Sequence, residues 1–98
     1  MIMARLAVPQ ALLLEVMELR EGLAEARAAH DTGRIAALAA DVSGRRERAM
    51  QVVAAALDAE PPDPEAAARA LVEVRYYDRF LEEVVAHEEA TGEPSHAG

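Results

Sequence analysis

The stretch Pro61-Pro62-Asp63-Pro64-Glu65 separates two long runs of helical character. Proline cannot continue an α-helix, so Pro61 and Pro62 end the run that comes before them. Asp63 suits an N-cap, Pro64 suits the first helical position, and Glu65 suits the positive first turn of a new helix. These five residues therefore predict a short turn between two helices.

Two helices are predicted upstream of this turn. Residues from Arg34 to about Ala59 carry apolar side chains three, four and seven positions apart, which is the spacing of one helix face. Before them, His30-Asp31-Thr32-Gly33 has the composition of a turn, and a first helix is predicted from Pro9 to about Ala29. The apolar positions of the second helix are Ile35, Leu38, Val42, Ala49, Val53 and Leu57.

A third helix is predicted from Pro64 to about Glu89. Short connections force neighbouring helices to run antiparallel, so the predicted fold is all-α, an antiparallel three-helix bundle. We expect residues 9–90 to form this domain, residues 1–8 to be an N-terminal lead-in, and residues 91–98 to be a disordered tail without apolar periodicity.

The composition narrows the functional classes. The chain has 98 residues and a net charge of -8, which argues against nucleic-acid binding because that requires clustered basic residues. It has no cysteine to serve as a nucleophile or a thiolate ligand. Its longest apolar run is too short to span a bilayer and its start lacks a signal-peptide pattern, so we expect a cytoplasmic protein without membrane contact.

A helical wheel divides the apolar residues of the first helix into two groups. Five of them fall in one narrow sector and are predicted to form the core: Leu12, Val16, Leu19, Leu23 and Ala26. Leu13, Leu14 and Met17 fall about 100° to 160° away, toward solvent, with Glu18 and Glu21 beside them.

The wheel of the third helix also leaves an aromatic side chain outside the core. Its predicted core residues are Leu71, Val74, Tyr77, Leu81 and Val85. Tyr76 falls on about the opposite side, next to Arg75, and Phe80 falls at the flank. If the first and third helices pack side by side, Leu13, Leu14, Met17 and Tyr76 form one patch with an acidic rim, which is typical of a protein-binding surface.

Three segments resemble one known family, the C-terminal domain of HscB-type J-protein co-chaperones. Residues 12–21, with the run Met17-Glu18-Leu19-Arg20-Glu21, resemble the opening of that domain. Residues 31–35 resemble the start of its second helix, and residues 66–80 resemble its third, so the resemblance covers nearly all of the chain.

The resemblance implies a domain that docks the IscU-type scaffold protein of iron–sulfur cluster assembly, for delivery to an HscA-type chaperone. Six positions match the family's scaffold contacts and are the predicted protein-binding residues: Leu13, Leu14, Met17, Glu18, Glu21 and Tyr76. No His-Pro-Asp tripeptide, the motif with which the family's J domain engages the chaperone, occurs in these 98 residues. Any link to that chaperone is therefore indirect. The chain is either a segment of a longer co-chaperone or a gene product with the docking half alone.

Self-association and enzyme or metal chemistry are the alternative functional classes. A self-associating helical module without a scaffold partner would bury the same patch in a homodimer. An enzyme or metal protein is not expected: Glu83 and His87 share a helix face, but no second histidine or cysteine converges on them. We therefore predict no catalytic residue, no metal site and no cofactor.

Overall fold

A computed structural model of the chain describes the backbone of residues 8–97 and the side chains of residues 8–86. It contains three helices, α1 (Gln10–Ala28), α2 (Thr32–Asp58) and α3 (Pro64–Ala97). Every regular element in this part of the chain is an α-helix, which confirms the predicted all-α fold.

An aspartate side chain caps the N-terminus of the second helix, and another caps that of the third. The Asp31 carboxylate accepts a hydrogen bond from the Arg34 backbone N–H at 3.0 Å, and Asp63 accepts one from the Ala66 N–H at 3.1 Å. Each bond satisfies an N–H group that has no partner within its own helix. The sequence predicted this function for Asp63. Before Asp31, His30 has a left-handed backbone (φ 55°), the conformation that often ends a helix.

Helix α3 continues past its predicted end at about Glu89. Its backbone is helical to Ala97, where the sequence predicted a disordered tail over residues 91–98. Extending an existing helix requires no new nucleus, so the backbone can remain helical beyond the last core contact. Gly98 and residues 1–7, most of the predicted lead-in, lie outside the described residues.

The ion pairs between α1 and α2 show that these helices run antiparallel. Arg34 near the start of α2 pairs with Glu25 near the end of α1, whereas Arg45 farther along α2 pairs with Glu15 near the start of α1. Residues later in α1 therefore contact residues earlier in α2. The most extensive packing is between α2 and α3, and the least is between α1 and α3.

The core of the first two helices largely follows the wheels. All five predicted core residues of α1 are buried. In α2, Ile35, Val42, Ala49 and Val53 are buried and Leu38 is half-buried. Leu57, which the spacing placed with them, is exposed near the end of the helix.

The predicted core of α3 is partly wrong. Val74 and Tyr77 are buried as expected, but Leu71 and Val85 are exposed. Phe80, predicted at the flank, has only 1% of its surface exposed and is one of the two largest fully buried side chains described, with Val84 buried one turn beyond it. Because α3 packs against both α1 and α2, its buried face is the one that lies between these two helices. This face differs from the face of α3 that is richest in aliphatic residues.

The outer part of the α2–α3 hairpin has a separate small core. It is built of small side chains that bring two helices close together: Val53, Ala56, Ala67 and Ala70. The larger cluster contains the buried residues of α1, and Val8, just before α1, packs against it. Helix α1 therefore covers only the inner part of the hairpin.

Glu15 links all three helices through its carboxylate. It accepts a hydrogen bond from the Tyr77 hydroxyl of α3 at 2.7 Å and forms an ion pair with Arg45 of α2. Arg45 also pairs with Asp41, and this hydrogen bond holds the pKa of Asp41 below its usual value. Burial and the bond to Glu15 raise the pKa of Tyr77, so its hydroxyl keeps its proton and remains a donor.

No helix within residues 8–97 is long and apolar enough to cross a bilayer.

Replacing Phe80 and Leu71 tests the revised core. Phe80→Ala should lower the free energy of unfolding by about 3–5 kcal/mol, because it removes a fully buried ring and leaves a cavity. Leu71→Ala should cost less than about 1.5 kcal/mol, because 44% of Leu71 is already exposed. Urea titrations followed by circular dichroism measure both values, and an equal loss for the two variants would contradict the assignment.

The pKa of Glu73 gives a pH-dependent prediction. Burial, and then the negative charge of Glu15, raise its pKa above the ordinary value of 4.5. A raised native pKa means that ionising Glu73 disfavours the folded state, so its cost appears as pH rises through that pKa. Glu73→Gln should therefore raise the free energy of unfolding by about 0.5 kcal/mol at pH 7 and by almost nothing near pH 3. Urea titrations at both pH values measure the difference, and a gain that is larger at low pH would contradict this sign.

Candidate protein-binding site

The outer face of α1 carries three large exposed apolar side chains. Leu13, Leu14 and Met17 expose 40%, 53% and 57% of their surfaces, as the wheel predicted. Glu18 and Glu21 are exposed on the same helix. Together the five residues form a strip in which apolar groups lie within one or two helical turns of carboxylates.

Tyr76 is not placed as the sequence predicted. Instead of facing away from the core, it is half-buried and packs against the main core cluster. The predicted core stripe of α3 included Leu71 and Val85, which are exposed, whereas the observed buried stripe includes Phe80 and Val84. Recentring the stripe moves Tyr76 from the far side of α3 to the flank of the core.

This flank of α3 is the one that faces α1. Glu83 lies seven residues after Tyr76, so the two side chains project in nearly the same direction from α3. The Glu83 carboxylate accepts a hydrogen bond from Arg20 of α1 at 2.8 Å, and its backbone carbonyl accepts one from Arg27 at 2.8 Å. Tyr76 therefore borders the groove between α1 and α3.

The register of the two helices brings Leu13 opposite Tyr76. Helices α1 and α3 run parallel, since Glu15 meets Tyr77 and, farther along both helices, Arg20 meets Glu83. Leu13 lies seven residues before Arg20, and Tyr76 lies seven residues before Glu83. Two turns back along each helix from the Arg20–Glu83 pair, Leu13 and Tyr76 thus occupy corresponding positions across the groove.

We call this surface the docking face. It consists of the six residues predicted from the sequence: Leu13, Leu14, Met17, Glu18, Glu21 and Tyr76. The helix register places Leu13 across the α1–α3 groove from Tyr76, Met17 lies one turn farther along α1, and Leu14 and Glu18 lie farther round α1. The six residues therefore form one surface with an apolar centre and an acidic edge.

Two arginines at this surface were missed as site residues. Arg75 and Arg79 are exposed, and together with Tyr76 they line a shallow depression on α3. They lie one residue before and three residues after Tyr76, a spacing that places them beside its ring on the outer side of the helix. The run Arg75-Tyr76-Tyr77-Asp78-Arg79 contains the signal, but the sequence alone did not show which flank of α3 the tyrosine occupies.

Chemistry other than binding has little support in the described residues. No group of three or more histidine, cysteine, aspartate or glutamate residues among them is placed to hold a metal ion. Glu83, the acid considered with His87, is engaged by Arg20, and the His87 side chain lies outside the described residues. The arrangement is suited to contact with another protein.

Comparison with known families supports this view. The family described as HSCB C-terminal oligomerisation domain matches residues 8–85, which include α1, α2, the larger part of α3 and every residue of the docking face. The family comprises C-terminal domains of HscB-type co-chaperones of iron–sulfur cluster assembly, which are not enzymes. Neither the curated proteins nor the solved structures gave a significant match. On the extent of the family match, the chain belongs to the HSCB C-terminal oligomerisation domain family.

Proposed function

We propose that the chain binds an IscU-type iron–sulfur scaffold protein through the docking face, as the scaffold-docking domain of an HscB-type co-chaperone. The observation that carries the proposal is the exposure of Leu13, Leu14 and Met17 on α1, the helix that lies across a groove from Tyr76. The resemblance of the sequence to the HscB family supports the same residues, because they match the family's scaffold contacts. Geometry and resemblance thus indicate the same surface.

The apolar side chains of the docking face supply the affinity in this proposal. Leu14 and Met17 each expose more than half of their surface. Covering a large apolar side chain completely is worth about 1.5–3 kcal/mol, and a few such anchors usually dominate an interface. Because Leu13, Leu14 and Met17 are about half exposed, covering each of them would contribute about half of that value.

The acids of the docking face supply electrostatic attraction. Glu18 and Glu21 are exposed, and the chain carries a net charge of -8. Exposed charges of this kind mainly raise association rates and select complementary partners. We expect the scaffold to present basic residues toward this edge of the docking face.

We further propose that docking brings the scaffold to an HscA-type chaperone in the cytoplasm. The family resemblance supports this step. We do not propose that this chain stimulates the chaperone ATPase. In the HscB family that activity belongs to the His-Pro-Asp loop, and these 98 residues contain no such tripeptide. The activity proposed for this chain is binding alone.

Self-association is the second candidate function, because the family description itself refers to oligomerisation. Two copies related by a two-fold axis would bury the apolar centre of the docking face against itself. A two-fold axis along the helices would bring Glu18 and Glu21 of each copy to the side of Arg75 and Arg79 of the other, so charge alone does not exclude this dimer. The match of six positions to the family's scaffold contacts favours the scaffold as the partner.

Met17→Ala should weaken scaffold binding by about 1–3 kcal/mol, because the truncation removes an exposed anchor without disturbing the core. Isothermal titration calorimetry with a purified IscU-type scaffold measures the change. Leu57→Ala is the matched control: Leu57 is 53% exposed, close to the 57% of Met17, but lies near the end of α2, away from the docking face. Equal affinity of both variants and the unsubstituted chain would remove support for the docking face.

Tyr76→Ala requires a stability measurement beside the titration. Since Tyr76 packs on the core, its truncation should lower both the free energy of unfolding and the affinity. Titrating this variant below its unfolding transition separates the two effects.

The oligomeric state gives a further prediction. If the docking face serves a scaffold protein, the chain alone should sediment as a monomer at about 20–50 µM, and adding the scaffold should produce a 1:1 complex. Sedimentation velocity at several concentrations measures this. A dimer that Met17→Ala dissociates would instead support self-association through the same residues.

A further inference from the structure

The two arginines beside Tyr76 are placed differently from most other arginines of the chain. Among the residues that the structure describes, five arginines form ion pairs within 4.0 Å: Arg20, Arg34, Arg45, Arg46 and Arg69. Arg27 instead donates to the Glu83 carbonyl, and Arg48 on α2 forms no ion pair among these residues. Arg75 and Arg79 form none with any residue that the structure describes, although acids outnumber basic residues 18 to 10 in the chain. Two exposed cations on an acidic protein therefore stand beside the docking face without an internal counter-charge among the described residues.

The nearby acids are already engaged or do not reach them. Asp78 pairs with Arg46 of α2, and Glu83, four residues after Arg79, pairs with Arg20 of α1. Glu82, three residues after Arg79, forms no ion pair with it. Arg75 and Arg79 are also four residues apart on one helix face, where like charges repel each other mildly. A carboxylate from outside the chain would relieve this repulsion.

The position of the arginines gives the docking face two edges of opposite charge. The Glu15–Tyr77 and Arg20–Glu83 contacts place Arg79 at about the height of Met17, on the outer side of α3. The apolar centre consists of Leu13, Met17 and Tyr76. Glu18 and Glu21 lie on α1, on the side of this centre that is farther from α3. A line across the docking face thus passes from carboxylates through apolar side chains to guanidinium groups.

Resting on the proposed function, we infer that Arg75 and Arg79 bind aspartate or glutamate side chains of the scaffold protein that docks on this face. Guanidinium groups form paired hydrogen bonds with carboxylates, and arginine stacked near an aromatic ring is a frequent component of interface hot spots. The partner surface then carries acids toward α3, an apolar centre, and basic residues toward α1.

This arrangement also fixes the orientation of the complex. A partner turned by 180° on the docking face would bring its acids against Glu18 and Glu21 and its basic residues against Arg75 and Arg79. Such like-charge contacts reject the wrong orientation even where the apolar centre would still fit. The apolar residues supply affinity, and the two charged edges select a single pose.

Charge reversal tests this inference. Arg75→Glu and Arg79→Glu should each weaken binding of a purified IscU-type scaffold about tenfold at about 50 mM salt, and the loss should shrink to about threefold or less at about 500 mM salt. Arg69→Glu is the matched control, with the same change in net charge on an exposed arginine that pairs only with Glu65, in the first two turns of α3 and away from the docking face. It should change affinity by less than about threefold at either salt concentration. Arg75→Lys and Arg79→Lys, which keep the charge but cannot form the paired hydrogen bonds, should lose less affinity than the Glu variants.

The outcomes of these titrations separate failure of the inference from failure of the proposed function. If both Glu variants bind like Arg69→Glu while Met17→Ala weakens binding, the inference is wrong and the docking face stands. If the loss is the same at low and high salt, or if the Lys variants lose as much as the Glu variants, the effect is not electrostatic and the inference is also wrong. If the unsubstituted chain does not bind the scaffold, the proposed function itself falls. Circular dichroism melts of every variant confirm that the bundle is folded.

Discussion

The Glu15 carboxylate is the contact on which the orientation of α1 depends. It joins Tyr77 of α3 and Arg45 of α2 at one point, so α1 cannot rotate about its axis without breaking both bonds. Hydrogen bonds to a charged carboxylate are stronger than neutral hydrogen bonds. The Glu15 carboxylate is half-buried, which partly shields its bonds from water. The constraint matters for the proposed binding because Leu14 and Met17 lie on other faces of the same helix. Fixing Glu15 inward directs these side chains outward.

The α2–α3 hairpin provides the rigid base against which α1 is held. Its outer part is packed by alanines, which allow the helix backbones to approach closely and have no side-chain entropy to lose. Only 3% of the chain is aromatic, and the buried Tyr77 and Phe80 both lie on α3 where α1 covers it. The largest apolar contacts thus occur where the third helix is added to the hairpin. This explains how a short α1 can be held firmly while it makes little backbone contact with α3.

The success of sequence reasoning differed between the helices for a physical reason. In α1 the core stripe is a single narrow sector, so periodicity identified all five buried residues and left Leu13, Leu14 and Met17 facing solvent. In α3 the buried arc is shared by two neighbours, and its centre is set by where α1 lies. Periodicity contains no information about that position, so Leu71 and Val85 were wrongly placed in the core and Phe80 was not. The half-buried position of Tyr76 and the placement of Arg79 beside it could not be derived for the same reason.

The corrected position of Tyr76 changes how the docking face would work. A fully exposed tyrosine would have to be immobilised on binding, at a cost of about 0.5–1.5 kcal/mol for a side chain with several rotamers. Tyr76 is already held against the core, so part of its ordering cost is met when the bundle folds. Met17, which is 57% exposed and unbranched, can adapt to the contour of a partner. A fixed aromatic beside an adaptable thioether combines a defined position with tolerance of shape, and the oppositely charged edges then determine which way round the partner lies.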